Sequence, residues 1–337
     1  MAKGRSLIVP IQVNQLGCPE RCIFCDQNSI SGKKGGLPSR AEIQDTINDY
    51  LRSWKGEGKR EVAFYGGSFT SLDLGLQASL LDAVQSYVKN GEIDSLRVST
   101  RPDAIDEASL ELLSENAVKT VELGVQSMDL KVLKLSGRRH IPLDVERAAG
   151  LIKGFGMQLG CQLMPGLPGD DRGKSVKSAT IVSSLGTDMA RIYPAVVIKG
   201  TAMEMLYSSG EYFPLHMDDA VSISADMMEV FEEAGVEVIR VGLQHEASLQ
   251  DAVIAGPYHP SFGEMVKSEL FFRRVAKLLN GMPHMEEKVV VSISPYDESA
   301  FRGLNNSNME KIMKTFPGYS FELSRDITVK RGNFYVG

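Results

Sequence analysis

Short apolar runs alternate with stretches in which apolar positions recur every three or four residues, and the alternation persists over the first 245 residues. Residues 6–13, Ser-Leu-Ile-Val-Pro-Ile-Gln-Val, read as a buried strand despite Pro10. Further strands are expected at 61–65, 95–99, 118–123, 157–163 and 188–193, with a seventh apolar segment at 236–241. Between them the helical period runs from a Ser39–Glu42 capping box to about Trp54, over about 73–88, and after Asp106. It returns near 129–135, 142–154 and 173–185, and over about 217–234. Strand and helix alternating six times or more demand a parallel sheet with helical crossovers. The expected fold class is α/β, a partial (β/α)6-type TIM barrel; an open sheet with the same alternation is the other arrangement allowed.

The pattern changes after about 245. A rigid loop, Ala255-Gly256-Pro257-Tyr258-His259-Pro260, leads into a helix over about 262–280. A strand at 287–294, a helix near 298–315 and strand-like 319–336 then form a small strand–helix–strand unit. The expected organisation is a barrel over 1–245 and an α+β C-terminal extension over 246–337, with substrate binding a candidate role for the extension. Every unusual loop follows a strand, so all would share one rim. In barrels of this kind the chemistry sits at the C-terminal ends of the strands.

Composition narrows the class. A hydrophobic fraction of 43% over 337 residues supports a packed core. No apolar run reaches the roughly 18–20 residues that span a bilayer, and Gln12, Asn14 and Gln15 interrupt the first one too soon for a signal peptide. Four cysteines, three of them clustered, are not a disulfide framework, so a reducing, cytoplasmic setting is expected. A net charge of −6 gives no overall attraction to phosphate.

The clustered cysteines are Cys18, Cys22 and Cys25, spaced C-x3-C-x2-C. Thiolates this close can converge on one soft metal centre. Three ligands are one short of a closed tetrahedral site; on a 4Fe-4S cluster they leave one iron open. The alternative is a structural zinc site completed by Cys161 or a distant histidine, in a module that is not an enzyme.

The spacing, with Phe24 just before the last cysteine, resembles the signature of the radical S-adenosylmethionine (SAM) family. The likeness extends through Tyr-Gly-Gly-Ser-Phe-Thr (65–70), Thr-Arg-Pro-Asp (100–103), Glu-Leu-Gly-Val-Gln-Ser (122–127), Gly-Arg-Arg-His (137–140), Met-Pro-Gly-Leu-Pro-Gly (164–169) and Ile-Tyr-Pro-Ala-Val-Val-Ile-Lys-Gly-Thr (192–201). Together these resemble the radical SAM domain of the Elongator catalytic subunit and, more weakly, the oxygen-independent coproporphyrinogen oxidases, over roughly residues 7–245. The resemblance implies a 4Fe-4S cluster on Cys18, Cys22 and Cys25 whose open iron is chelated by SAM. Reductive cleavage then gives methionine and a 5′-deoxyadenosyl radical that abstracts hydrogen from a substrate. It implies a Gly66–Gly67 contact with the SAM amino group, and SAM contacts at Gly67, Ser68, Gln126, Arg138 and Gln162. The Arg138 guanidinium suits the SAM carboxylate. An electron donor such as a flavodoxin or ferredoxin is implied as well.

The sequence also departs from these families. Ser99 stands where both tend to carry a glutamate, its hydroxyl still able to bond a ribose though less strongly than a carboxylate, and Gln162 stands where the porphyrin branch carries an aspartate. About 90 residues follow the barrel without a recognisable glycine-rich pyrophosphate loop, so the Elongator subunit's acetyl transfer is not expected. The tyrosine–histidine motif of the coproporphyrinogen oxidases is absent around Ile11–Gly17. The resemblance points to a tRNA base as substrate; the alternative is a porphyrin-like small molecule.

Some residues keep two readings. Cys161 reads as a buried thiol rather than a ligand, and His259 as an ordinary loop histidine rather than a proton donor. Glu122, in an apolar strand, needs a partner for its charge and is either structural or a polar contact for substrate. Lys199 and Arg191 face substrate phosphate or are solvated or ion-paired. If RNA binds, the expected surface is the extension, which carries Lys267, Arg273, Arg274, Lys277, Arg302, Lys311, Lys314, Lys330 and Arg331.

Overall fold

The computed structural model describes residues 6–14, 16–18, 21–31, 36–281 and 288–336. The strands are β1 (Leu7–Gln12), β2 (Arg60–Tyr65), β3 (Ser95–Thr100), β4 (Val118–Gln126), β5 (Gln158–Leu163), β6 (Met189–Ile192), β7 (Val197–Ile198), β8 (Glu237–Val241), β9 (Val253–Ala255), β10 (Lys288–Ile293), β11 (Ser320–Arg325) and β12 (Phe334–Val336). Seven of them form one parallel sheet in the order β1-β2-β3-β4-β5-β6-β8. Right-handed strand–helix crossovers force sequential neighbours, and here only the short β7 is skipped. The sheet is a partial barrel with β1 and β8 as its edges, so the expected α/β barrel class is borne out and the apolar segment at 236–241 supplies its seventh strand.

Both faces of the central strands are covered, so β2 to β5 are apolar almost throughout, with Val62, Phe64, Val98, Val121, Leu123 and Leu159 fully buried. Four of the helices between the sheet strands start at a side-chain cap of this kind: Ser39 and Glu42 form the expected capping box, and Asp106, Asp129 and Asp171 accept from backbone N–H groups of their first turns.

Two helical expectations and one strand expectation break locally. The helix expected over 73–88 is two, Leu74–Asp82 and Gln85–Lys89. Val84 N bonds back to Leu81 O, a tightened turn, and Gln85 Nε2 takes the same carbonyl. The helix expected near 298–315 is interrupted at Gly303, whose φ of 74° ends the turn Glu298–Arg302 before Ser307–Thr315 begins. The strand-like tail is two strands flanking β10, β11 parallel and β12 antiparallel. The sequence pattern also misses the antiparallel β7–β9 ribbon and the short helices Gln27–Ser31, Ala202–Ser208 and Ala247–Ala252.

The helix Phe262–Asn280 serves two cores. Phe262, Val266 and Leu270 belong to the barrel core, whereas Phe271, Val275 and Leu279 pack with Val289, Val291, Ile293 and Phe301 in the C-terminal core. Among the described residues no helix is long and apolar enough to cross a membrane.

Candidate functional site

The loop after β1 lies on the loop after β2, and glycines make the contact possible. A Cβ on Gly17, at φ 71°, would sit 2.2 Å from Ser68 O, and one on Gly67 would sit 2.4 Å from Leu16 O. Ser68 N donates to Leu16 O at 2.9 Å. Gly67 is therefore glycine because the cysteine loop's backbone presses on it. Gly66 adopts φ 96°, a conformation that favours glycine. The second half of the loop packs on the turn after the helix Leu130–Leu135: Ile23 N donates to Ser136 O at 3.2 Å, and Met203 N to Ile23 O at 2.9 Å.

These loops enclose a cavity of about 610 Å³ at the C-terminal ends of the strands. Cys18, Cys22, Cys25, Phe24, Gly66, Gly67, Ser99, Gln126, Arg138 and Gln162 all line it. Ser68 does not: its fully buried hydroxyl bridges Ser71 and Thr100 and accepts from Arg101 N at 3.3 Å. The expected contact at Ser68 could therefore come only from its backbone.

The three thiols are half-buried. Burial raises the Cys18 pKa and pushes Cys25 up to about 12, while Arg101 and Arg138 pull Cys18 back down. Desolvated to this degree, Cys18 and Cys25 stay protonated at neutral pH unless a metal bound by the three thiols offsets the charge. They are spaced along the wall: among the described residues no three His, Cys, Asp or Glu side chains are close enough to hold one metal ion. The donor set fits a cluster, which spreads its thiolates over separate irons. Phe24 is buried among Val132, Leu167 and Met203.

Arg138 is nearly buried and held from several sides. Its Nη1 donates to Cys22 Sγ at 3.3 Å, its Nη2 to Gly124 O at 2.6 Å and its Nε to His140 Nδ1 at 3.2 Å. His140 Nε2 in turn meets Val125 O at 3.1 Å. Burial and the Arg138 charge lower the His140 pKa to about 3, so the ring is neutral, accepts at Nδ1 and donates at Nε2. Gln126 sits at φ 68°, where β4 and β5 shift register. Its Oε1 accepts from Gln162 Nε2 at 3.1 Å, which places two amides on one wall of the cavity. Strained backbone of this kind persists where the surroundings hold it.

The cavity floor is charged. Glu122 accepts from Arg191 Nε at 2.6 Å and Nη2 at 3.1 Å, and from Arg97 Nη1 at 3.0 Å. Arg97 also pairs with Glu61, and Tyr65 Oη bridges Glu122 and Arg191. The two guanidiniums hold Glu122 below the usual carboxylate range against its burial. Gly160 makes room for the Glu122 side chain, since a Cβ there would be 2.9 Å from Glu122 Cγ. Of the open readings, Glu122 and Arg191 are therefore partners of one another at the cavity floor. Cys161 is buried, pushed up to about 12, and bonds Thr187 Oγ1 at 3.4 Å outside the cavity. His259 accepts from Ser261 N at 3.0 Å, Lys199 N bonds Ala252 O, and neither residue lines the cavity.

Sequence reasoning gave no role to Arg97, Tyr65, Tyr193, His140 or Arg240. The signal for Arg97 was a charge inside the apolar run Leu-Arg-Val of β3. The extension's cations are largely spent within the fold: Lys267, Arg273, Arg274, Arg302, Lys311 and Arg331 each pair with a carboxylate.

The Radical SAM superfamily model matches residues 15–178, and the Radical_SAM C-terminal domain model matches 187–271. An uncharacterised protein of Methanocaldococcus jannaschii is 30% identical over 239 residues, 67% of this chain and 72% of that protein. A tRNA uridine(34) acetyltransferase of the same organism is 30% identical over 256 residues, 64% of this chain but only 47% of that enzyme. This chain thus spans about half the length of that acetyltransferase. Among solved structures, the archaeal Elp3 of Methanocaldococcus infernus superposes with a TM-score of 0.60 at 21% identity, covering 83% of this chain and 64% of that one, a likeness of fold.

Proposed function

Because the chain belongs to the radical SAM superfamily, whose members bind a 4Fe-4S cluster and SAM, we propose that Cys18, Cys22 and Cys25 hold the cluster and that the adjoining cavity holds SAM. The observation that carries this is convergence: the three thiols share one cavity with Gly66, Gly67, Ser99, Gln126, Arg138 and Gln162, which come from the C-terminal ends of β3, β4 and β5 and from the segments that follow β2 and β4. Bound there, the cluster would supply the electron that splits SAM into methionine and a 5′-deoxyadenosyl radical. The chain's own residues orient and shield. Arg138 offers five N–H donors; three are engaged, which leaves two for the SAM carboxylate. The Gln126–Gln162 pair offers amide edges to ribose or adenine. Phe24 closes the space behind the thiols. An external electron donor such as a flavodoxin or ferredoxin, and a reducing cytoplasmic setting, complete the reading.

For the substrate we propose a tRNA base. The support is the likeness to a tRNA uridine(34) acetyltransferase across 64% of this chain. Anaerobic reconstitution tests the first half: about four irons and four sulfides per chain with a brown chromophore are expected, whereas a colourless protein with one zinc ends it. Nucleoside mass spectrometry of tRNA from cells with and without the gene tests the second. A missing modified nucleoside supports a tRNA base. An unchanged profile, with no tRNA retained at low salt, ends that reading and leaves a small-molecule substrate.

A further inference from the structure

Among the described residues, the cavity is lined by five guanidiniums, those of Arg21, Arg101, Arg138, Arg191 and Arg240, against one carboxylate, Glu122. The fold commits four of them. Arg101 is bidentate to Asp103, with bonds of 2.9 and 2.6 Å. Arg138 is engaged by Cys22, Gly124 and His140. Arg191 is bidentate to Glu122, and Arg21 has contacts of its own. Arg240 differs: among the described residues its one bond is a long one, from Nε to Gly242 O at 3.4 Å, and it has no acidic partner.

Its position matters as much as its lack of a partner. Gly124, Gln162, Arg191 and Arg240 are direct register partners across β4, β5, β6 and β8. Arg138 is anchored at the β4 end of this row, on Gly124 O. Arg240 lies three strand spacings away, roughly 14 Å along the sheet. One SAM carboxylate cannot occupy both positions. The buried charges beside Arg240 balance, since Arg97 and Arg191 face Glu61 and Glu122. The Arg240 charge is therefore the local surplus. Apolar Pro194, Val196, Ile198 and Leu243 line the wall next to it and suit the organic body of a molecule whose charged end meets the guanidinium. Resting on the reading of this cavity as the SAM site, we propose that Arg240 is the oxyanion subsite for the substrate and binds a phosphate or carboxylate group bidentately.

The test uses the reconstituted protein with SAM bound and three probes: inorganic phosphate, uridine 5′-monophosphate and uridine. The native protein should bind the monophosphate at least about tenfold more tightly than uridine, the order expected of one charge-assisted pair, with phosphate competing. Arg240→Gln should remove that advantage and Arg240→Lys restore part of it, with iron content and SAM affinity within about twofold of native. If phosphate binds in an Arg240-dependent way while neither uridine nor its monophosphate binds, the subsite stands and the nucleotide substrate falls. If no anionic probe binds the native protein, or native and Arg240→Gln bind all three probes equally at equal iron content, the proposal is overturned.

Discussion

Arg138 and Cys22, 116 positions apart in the chain, meet at 3.3 Å, Nη1 to Sγ. The contact joins the loop after β1 to the turn that follows the helix after β4. It places a fixed positive charge against a sulfur proposed as a cluster ligand.

Cys22→Ala should abolish cluster binding and all SAM cleavage, because two remaining thiolates cannot hold the centre that three do. Iron content and 5′-deoxyadenosine formation are the measurements. A variant that still formed 5′-deoxyadenosine at the native rate would remove Cys22 from the centre.

Arg138→Ala should retain the iron but weaken SAM binding by about 1.5–3 kcal/mol, the cost of one charge-assisted bond in a partly desolvated site. Arg138→Lys should rescue little, since an ammonium cannot reach Cys22, Gly124 and His140 together and still face a carboxylate. Unchanged SAM affinity in isothermal titration would take Arg138 out of the SAM site.

His140 predicts an acid-sensitive fold. Its folded pKa is about 3, below the ordinary 6.5, because burial and Arg138 oppose its charge. As pH falls, the unfolded chain takes up the proton first. The stability present above about 6.5 is therefore lost by up to ~1.4 kcal/mol per pH unit towards the folded value. Chemical denaturation between pH 7 and 5 should show a steeper loss for the native chain than for His140→Gln. Parallel curves would mean that the ring is already charged in the fold.

Much of this was legible in the sequence, for identifiable reasons. Strand–helix alternation announces a parallel sheet, and strand-end loops must share a rim, so Cys18, Gly66, Gln126, Arg138 and Gln162 could be grouped before any coordinates. Pairings between strands distant in sequence were not legible. Nothing local says that Arg97 and Arg191 both reach Glu122, or that Arg191 is the neighbour of Arg240. The motif position of Ser68 does not tell that its hydroxyl is turned to Thr100 at 3.0 Å. Nor does a sequence, which shows charge without its partner, tell that six of the extension's nine candidate cations pair with carboxylates.

Glu122→Ala should destabilise the fold by about 3–5 kcal/mol, because it leaves Arg191 buried without its acid while Arg97 keeps only Glu61. Glu122→Gln should cost less, since the amide oxygen still accepts one of these bonds. Urea unfolding midpoints measure both. A loss below about 1 kcal/mol in the alanine variant would mean that water already screens the floor.

The extension must be tested without removing it. Truncation at 245 would take Phe262, Val266 and Leu270 out of the barrel core. At about 1.5–3 kcal/mol for each buried side chain, the loss is comparable with the 5–15 kcal/mol that typically holds a domain together. Such a chain is expected to unfold, and an absence of tRNA binding would then say nothing about which surface touches the RNA. Of the nine candidate cations, Lys277, Lys314 and Lys330 are exposed and have no acidic partner among the described residues. If the extension meets tRNA, replacing these three lysines with glutamine should weaken binding. The slope of log affinity against log salt should also fall by about one for each phosphate that is no longer neutralised. Thermal stability should stay within about 0.5 kcal/mol of native, as for ordinary surface changes. An unchanged slope, with tRNA still bound, would move the RNA-binding surface to the barrel rim.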